Sequence, residues 1–153
     1  MPNIKEGDQA PDISLKTDSG EQFELSALRG KNVVLYFYPK ADTPGCTKEA
    51  CEFRDTSKKF SKANTVIVGV SPDAEKAQSR FKDKFDLPFT LLADTDHQTA
   101  EAYGVWKEKS MYGKKYMGIE RTTFVIDPQG KVKKIFPKVK VEGHAEEVLA
   151  AIG

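Results

Sequence analysis

Two apolar runs bound what this chain can become. "NVVLYFY" at 32–38 and "TVIVGVS" at 65–71 are continuous stretches of β-branched and aromatic residues. Strands buried on both faces read this way, whereas strands with one wet face alternate. Between them, from about Pro44 to Lys62, Cys46, Ala50, Phe53, Ser57 and Phe60 recur at spacings of three and four. That period marks an apolar stripe along a helix. Strand, helix and second buried strand make a crossover unit, with the helix laid over a parallel pair.

The flanking segments extend this unit. "DISLKT" (12–17) and "EQFEL" (21–25) flank "DSG", the signature of an N-terminal hairpin. A helical turn around "LSALRG" ends at Gly30. "AEKAQSRFKDKF" (74–85) reads as a helix, "FTLLAD" contains a short strand and "QTAEAYGV" a short helix. "RTTFVID" (121–127) and "KVKKIF" (131–136) are strands joined by "PQG", and a last helix covers about 143–152. The segment 106–120 has no clean period and reads as a loop. Its Trp106, Met111, Tyr112, Tyr116 and Met117 are expected to pack on the core, the alternative being that they flank the site and bind a reductant or another chain. These elements imply one α/β domain over 1–153, in three layers around a mixed sheet.

A formal net charge of +1 gives no case for a nucleic-acid or membrane-surface binder. No apolar stretch approaches the ~20 residues of a membrane helix, and the first residues lack a signal-peptide core. The chain reads as soluble and cytoplasmic. The five lysines of "KVKKIFPKVK" (131–140) are expected on a solvated strand face, and His97 and His144 on the surface.

Both cysteines of the chain lie in "TPGCTKEAC" (43–51), directly after the first buried strand. Two cysteines cannot make a disulfide scaffold here, which leaves catalysis, redox sensing or inert burial. A zinc site needs about four ligands, and these cysteines and histidines lack finger spacing. A thioredoxin-type dithiol needs C-x-x-C, and this spacing is longer. Thr43, pushed out of the helical region by Pro44, is placed to cap the helix with its hydroxyl. Pro44 suits the first helical position, and Gly45 leaves the site unshielded. Cys46 then falls in the first turn, where unpaired amides and the helix dipole favour a thiolate. Cys51 lies about 140° further round, and the two Cα atoms are roughly 8.7 Å apart on an ideal helix. A disulfide bridges at most about 7 Å, so Cys46 and Cys51 pair only if the first turns unwind. Glu49, beside both, is either plain helix surface or a buttress for a nearby arginine.

With these residues in view, the chain resembles the peroxiredoxins. "YFYPKADTPGCTKEACEFRD" (36–55) is similar to their active-site segment, with P-x-x-x-T-x-x-C met by Pro39, Thr43 and Cys46. The second cysteine five residues on resembles the bacterioferritin comigratory protein, or peroxiredoxin Q, group. The likeness continues through 103–127 and covers nearly the whole chain. It implies a thioredoxin-like fold with an N-terminal extension, and a thiol peroxidase without metal or organic cofactor. By that resemblance Cys46 is the peroxidatic cysteine, and Thr43 contacts sulfur and peroxide. Pro39 shields the pocket, and Arg121, otherwise just a charge opening a strand, stabilises thiolate and transition state. Cys51 corresponds to the resolving cysteine of an intramolecular disulfide, re-reduced by a thioredoxin-like protein. A peroxide substrate and a monomeric enzyme are implied too. Two other classes compete: a protein thiol–disulfide oxidoreductase, disfavoured by the missing C-x-x-C, and a redox-responsive chaperone or binding module, disfavoured by the Pro39, Thr43, Cys46 spacing.

Overall fold

A computed structural model describes residues 4–152. Its strands are β1 (Ser14–Thr17), β2 (Gln22–Glu24), β3 (Asn32–Phe37), β4 (Thr65–Ser71), β5 (Thr90–Ala93), β6 (Trp106–Met111), β7 (Lys114–Ile119), β8 (Thr122–Ile126) and β9 (Val132–Phe136). The helices are α1 (Pro44–Lys62), α2 (Glu75–Phe85), α3 (Gln98–Ala102) and α4 (His144–Ile152), with a 3-10 turn at Leu25–Leu28. Seven strands form one mixed sheet in the order β2-β1-β5-β4-β3-β8-β9. The two apolar runs become the parallel centre, with Val34 opposite Ile67 and Tyr36 opposite Gly69. The N-terminal hairpin is part of the sheet, because β1 pairs antiparallel with β5.

The continuous apolar run of β3 is explained by burial on both sides. Val33, Leu35 and Phe37 point into one core, with Tyr103, Phe124 and residues of the N-terminal segment. Val34, Tyr36 and Tyr38 point into the other, under Phe53 and Phe60 of α1, Phe81 of α2 and Val148 of α4. Burying each such side chain contributes about 1.5–3 kcal/mol. Close packing has a local requirement at Gly69. A Cβ there would stand 2.9 Å from the Tyr36 ring and 2.9 Å from Leu91 Cδ2. That ring occupies the space and stacks on Phe53 at 4.8 Å.

Three expectations are corrected. Residues 106–120 hold a hairpin, β6 and β7, which pair antiparallel as a separate two-stranded sheet. Outward positions on both faces remove the polar–apolar alternation that normally signals a strand. The turn is Tyr112-Gly113 with φ +52° and +79°, so the two-residue turn is made by Tyr-Gly where Asn-Gly would be the usual signal. The aromatic and thioether side chains do not pack on the core: Met111, Tyr112, Tyr116 and Met117 are exposed, and Trp106 alone of the five packs partly against it.

The third correction concerns His144, which is buried rather than on the surface. Its Nε2 lies 2.7 Å from Thr123 Oγ1 and its Nδ1 2.7 Å from Glu147 Oε1. Phe53 and Phe136 meet its ring edge to face. Burial pushes its pKa down, against the pull of Glu147. The other histidine, His97, is half-buried and stacks on Trp106 at 4.0 Å. The lysines at 131, 133, 134, 138 and 140 are exposed as expected, on and beyond the edge strand β9. Among the described residues no helix is long and apolar enough to cross a membrane.

Candidate active site

The site is set by where α1 begins. β3 ends in the sheet centre, and the chain turns through Tyr38–Thr43 before entering the helix at Pro44. This turn is tied down from below. The Ala41 amide donates to Asp73 Oδ2 at 2.7 Å, and the same oxygen accepts from Ser71 Oγ at 2.6 Å. Gln78 continues the chain, donating to Ser71 Oγ at 2.8 Å and accepting from the buried Tyr38 hydroxyl at 2.5 Å. Asp42 sits at φ +58°, in the left-handed region, with its carboxylate on Lys84 at 2.9 Å.

Thr43 takes the extended N-cap conformation, but its hydroxyl makes no cap hydrogen bond. It donates instead to the Lys40 carbonyl at 2.8 Å, bracing the turn. Pro44 and Gly45 open the helix and Cys46 follows in the first turn, as the residue pattern predicts. Cys46 is 1% exposed. Of the expected stripe, Ala50, Phe53 and Phe60 are buried, whereas Ser57 is half-buried and Thr56 takes the inward position. Pro39 is half-buried in the same turn. Cys51 is half-buried, and both sulfurs are free.

Arg121 reaches this point from a distant part of the sequence because of strand register. β8 runs antiparallel to β3 with Thr122 opposite Phe37. The residue before β8 therefore lies at the end of the sheet where β3 finishes and the chain turns toward α1. Arg121 Nη2 donates to Cys46 Sγ at 3.3 Å, and Nη1 donates to Glu49 Oε1 at 2.6 Å. Gly45 makes room for this reach, since a Cβ at that position would stand 3.3 Å from Arg121 Nη2.

Glu49 is the residue whose role the sequence left open. It is 1% exposed, and its Oε2 is buried without a hydrogen-bond partner among the described residues. Burial pushes its pKa from 4.5 up to about 7, against the pull of Arg121. Burial acts downward on Arg121, and the charges of Glu49 and Cys46 outweigh it and raise the guanidinium. A signal existed: Glu49 is three residues after Cys46 and four before Phe53, on the buried stripe. An acid there requires a cation facing it. From the hairpin side, Lys109 is held below its usual pKa, first by burial and then by Arg121, while Cys46 pulls it upward.

The arrangement is a buried, cation-contacted cysteine at a helix start, with the second cysteine out of reach on intact helix. Its chemistry is that of a thiol nucleophile for a small electrophile. The AhpC/TSA family matches residues 6–135. A Bcp-type relative from Coxiella burnetii is 54% identical over 150 residues, covering 98% of this chain and 99% of its own. Peroxiredoxin Bcp of Bacillus subtilis is 52% identical over 149 residues, covering 97% of this chain and 95% of its own. Among solved structures, that of Xanthomonas campestris bacterioferritin comigratory protein, studied for alkyl peroxide reduction through trapped intermediate and ligand complexes, is 41% identical. It superposes with a TM-score of 0.90 over 99% of this chain and 97% of that one. The fold is accordingly thioredoxin-like, and the class is that of thiol-dependent peroxidases. The chain belongs to the AhpC/TSA family, in its Bcp or peroxiredoxin Q group.

Proposed function

We propose that Cys46 is the peroxidatic cysteine and Cys51 the resolving cysteine of a peroxidase that reduces hydrogen peroxide and organic hydroperoxides. The Arg121 contact to Cys46 Sγ, 3.3 Å at the start of α1, carries this reading. The Cys46 thiolate attacks one peroxide oxygen, the S–O bond forms and the O–O bond breaks. The sulfur becomes a sulfenic acid, and the departing oxygen leaves as water or alcohol after taking a proton. Arg121 and the first-turn amides stabilise charge moving along the S–O–O axis. Thr43 and Pro39 orient and shield the peroxide.

The sulfenic acid is then attacked by Cys51, giving a Cys46–Cys51 disulfide and releasing water. The helix must open first, because five residues of intact helix hold the Cα atoms roughly 8.7 Å apart. Opening removes Cys46 from Arg121, so the oxidised chain loses the geometry that made the thiol reactive. A thioredoxin-like dithiol protein re-reduces the disulfide. The enzyme acts as a cytoplasmic monomer of one domain, 1–153, and needs no metal or organic cofactor.

Intact-mass measurement after one equivalent of peroxide tests the two cysteine roles. The parent protein is expected to lose two hydrogens, and Cys51→Ser to gain one oxygen. Cys46→Ser abolishes peroxide-dependent turnover with thioredoxin and its reductase. A parent that gains oxygen without forming a disulfide overturns the resolving role of Cys51.

A further inference from the structure

The β6–β7 hairpin is the part of the molecule that the chemistry at Cys46 leaves unused. The exposed large apolar side chains among the described residues are Met111, Tyr112, Tyr116 and Met117, and all four lie on it. Tyr112, at the tip, is 99% exposed. A six-residue strand is about 20 Å long, so the ribbon projects well beyond its base. The base is anchored: Ile119 sits in the core cluster, Trp106 packs partly against it, and Lys107 pairs with Glu120 at 2.9 Å. Glu120 immediately precedes Arg121, so the arm is rooted beside the reacting cysteine.

Cross-strand pairing sorts its side chains onto two faces. Lys109 opposes Tyr116, and Met111 opposes Lys114. These four share one face of the ribbon, and the Lys109 charge on it lies within electrostatic reach of Arg121 and Cys46. Over 106–119 there are four lysines and one glutamate, an excess of three positive charges. Lys109 and Lys114 form no ion pair among the described residues, and the Lys115 contact to Glu108 is a loose 3.7 Å.

We propose that this hairpin is the docking arm for the protein reductant, a dithiol protein with an acidic, partly apolar surface around its cysteines. The inference rests on the reading that Cys46 and Cys51 form a disulfide which a protein dithiol reduces. Three observations select this occupant. A small ligand needs a concave site, and the cavity of about 130 Å³ at the hairpin base includes Lys107 but none of the four exposed apolar side chains. A second copy of this chain would set the same positive excess against itself, which opposes association. On that reading buried Cys46 and half-buried Cys51 exchange electrons with a protein dithiol, and the arm is continuous with their site. Tyr and Met anchors suit the centre of a protein interface, while the lysines steer an acidic partner to it.

Docked there, one thiolate of the reductant attacks the Cys46–Cys51 disulfide. A mixed disulfide forms and one cysteine leaves as thiolate. The second reductant thiol attacks the mixed disulfide and frees the other cysteine. Two electrons and two protons pass from the dithiol to Cys46 and Cys51, and the reductant leaves as its own disulfide.

The test compares three reactions in the parent, in M111S/Y116S and in K114E/K115E. They are turnover with purified bacterial thioredoxin, its reductase and NADPH, the single oxidation by hydrogen peroxide without reductant, and reduction of the disulfide by dithiothreitol. Both variants are expected to lose at least tenfold in kcat/KM for thioredoxin, with the other two rates within twofold of the parent. K114E/K115E should also flatten the fall of that kcat/KM with added salt. Unchanged thioredoxin kinetics in both variants, or an equal fall with dithiothreitol, overturns the docking arm. A parent disulfide that dithiothreitol reduces and thioredoxin does not overturns the underlying reductant reading instead. Two further outcomes reassign the face and overturn the proposal: dimers lost in M111S/Y116S, or sedimentation with phosphatidylglycerol vesicles while reductant kinetics stay unchanged.

Discussion

The first turns of α1 and the β6–β7 hairpin stand on either side of Arg121, yet they are built on opposite principles. At the helix start Cys46 and Glu49 are almost wholly buried, and Arg121 bonds to both. Burial and the two Arg121 bonds fix these side chains, so geometry and charge are set before a peroxide arrives. On the hairpin, large apolar side chains face water, and Lys109 and Lys114 form no ion pair among the described residues. Chemistry needs the first kind of surface, where reorganisation is small and charges act at short range. Recognition needs the second, where side chains are free to be covered.

Substitutions sharpen this contrast. Phe53→Ala empties the core beneath α1 and is expected to destabilise the protein by about 3–5 kcal/mol in denaturant unfolding. Arg121→Met should lower kcat/KM for peroxide by about 10²–10³-fold in stopped-flow assays, the usual cost of one charge-stabilising donor. Tyr112→Ser should change stability by no more than about 0.5 kcal/mol, because nothing packs on that side chain. A large stability loss from Tyr112→Ser, or a small one from Phe53→Ala, would break the comparison.

Glu49 gives a finer test through pH. Its folded pKa is raised from 4.5 to about 7, so the folded state holds more protons than the unfolded chain between those values. Its contribution to stability is therefore full below about pH 4.5 and is lost as pH rises toward 7. His144 acts with the opposite sign: its folded pKa lies below 6.5, so it contributes a rise in stability as pH increases through that window. Glu49→Gln should remove the falling contribution and leave the rise, read from urea midpoints between pH 4.5 and 7.5. The same substitution should reduce peroxide kcat/KM by about tenfold, matching the loss of a hydrogen bond to a charged group. A pH profile of midpoints identical to the parent's would refute the burial of a titrating Glu49.

How much could be read in advance differed by element. β3, α1 and β4 were legible nearly to the residue, because double burial makes unbroken apolar runs and the Thr-Pro-Gly turn marks a helix start. The hairpin was not, since exposed strands need no alternation and its turn uses Tyr112 at a positive φ. His144 was misplaced because a lone histidine carries no sign of burial. The actual partner of the Thr43 hydroxyl was invisible as well, because a threonine before a proline suits capping and turn bracing equally.

By itself, the sequence determined the crossover unit, the position of Cys46 in the first turn of its helix and the separation that keeps Cys51 apart. These follow from local periodicity and helix geometry, which act over a few residues. Tertiary structure alone decided that Arg121 meets Cys46 and Glu49, and that the Met111–Met117 surface stays open to solvent. Both depend on the antiparallel register of β8 on β3 and on where the hairpin leaves the sheet. The Arg121 contacts join residues more than seventy positions apart, and nothing in the local chain encodes the distance between them.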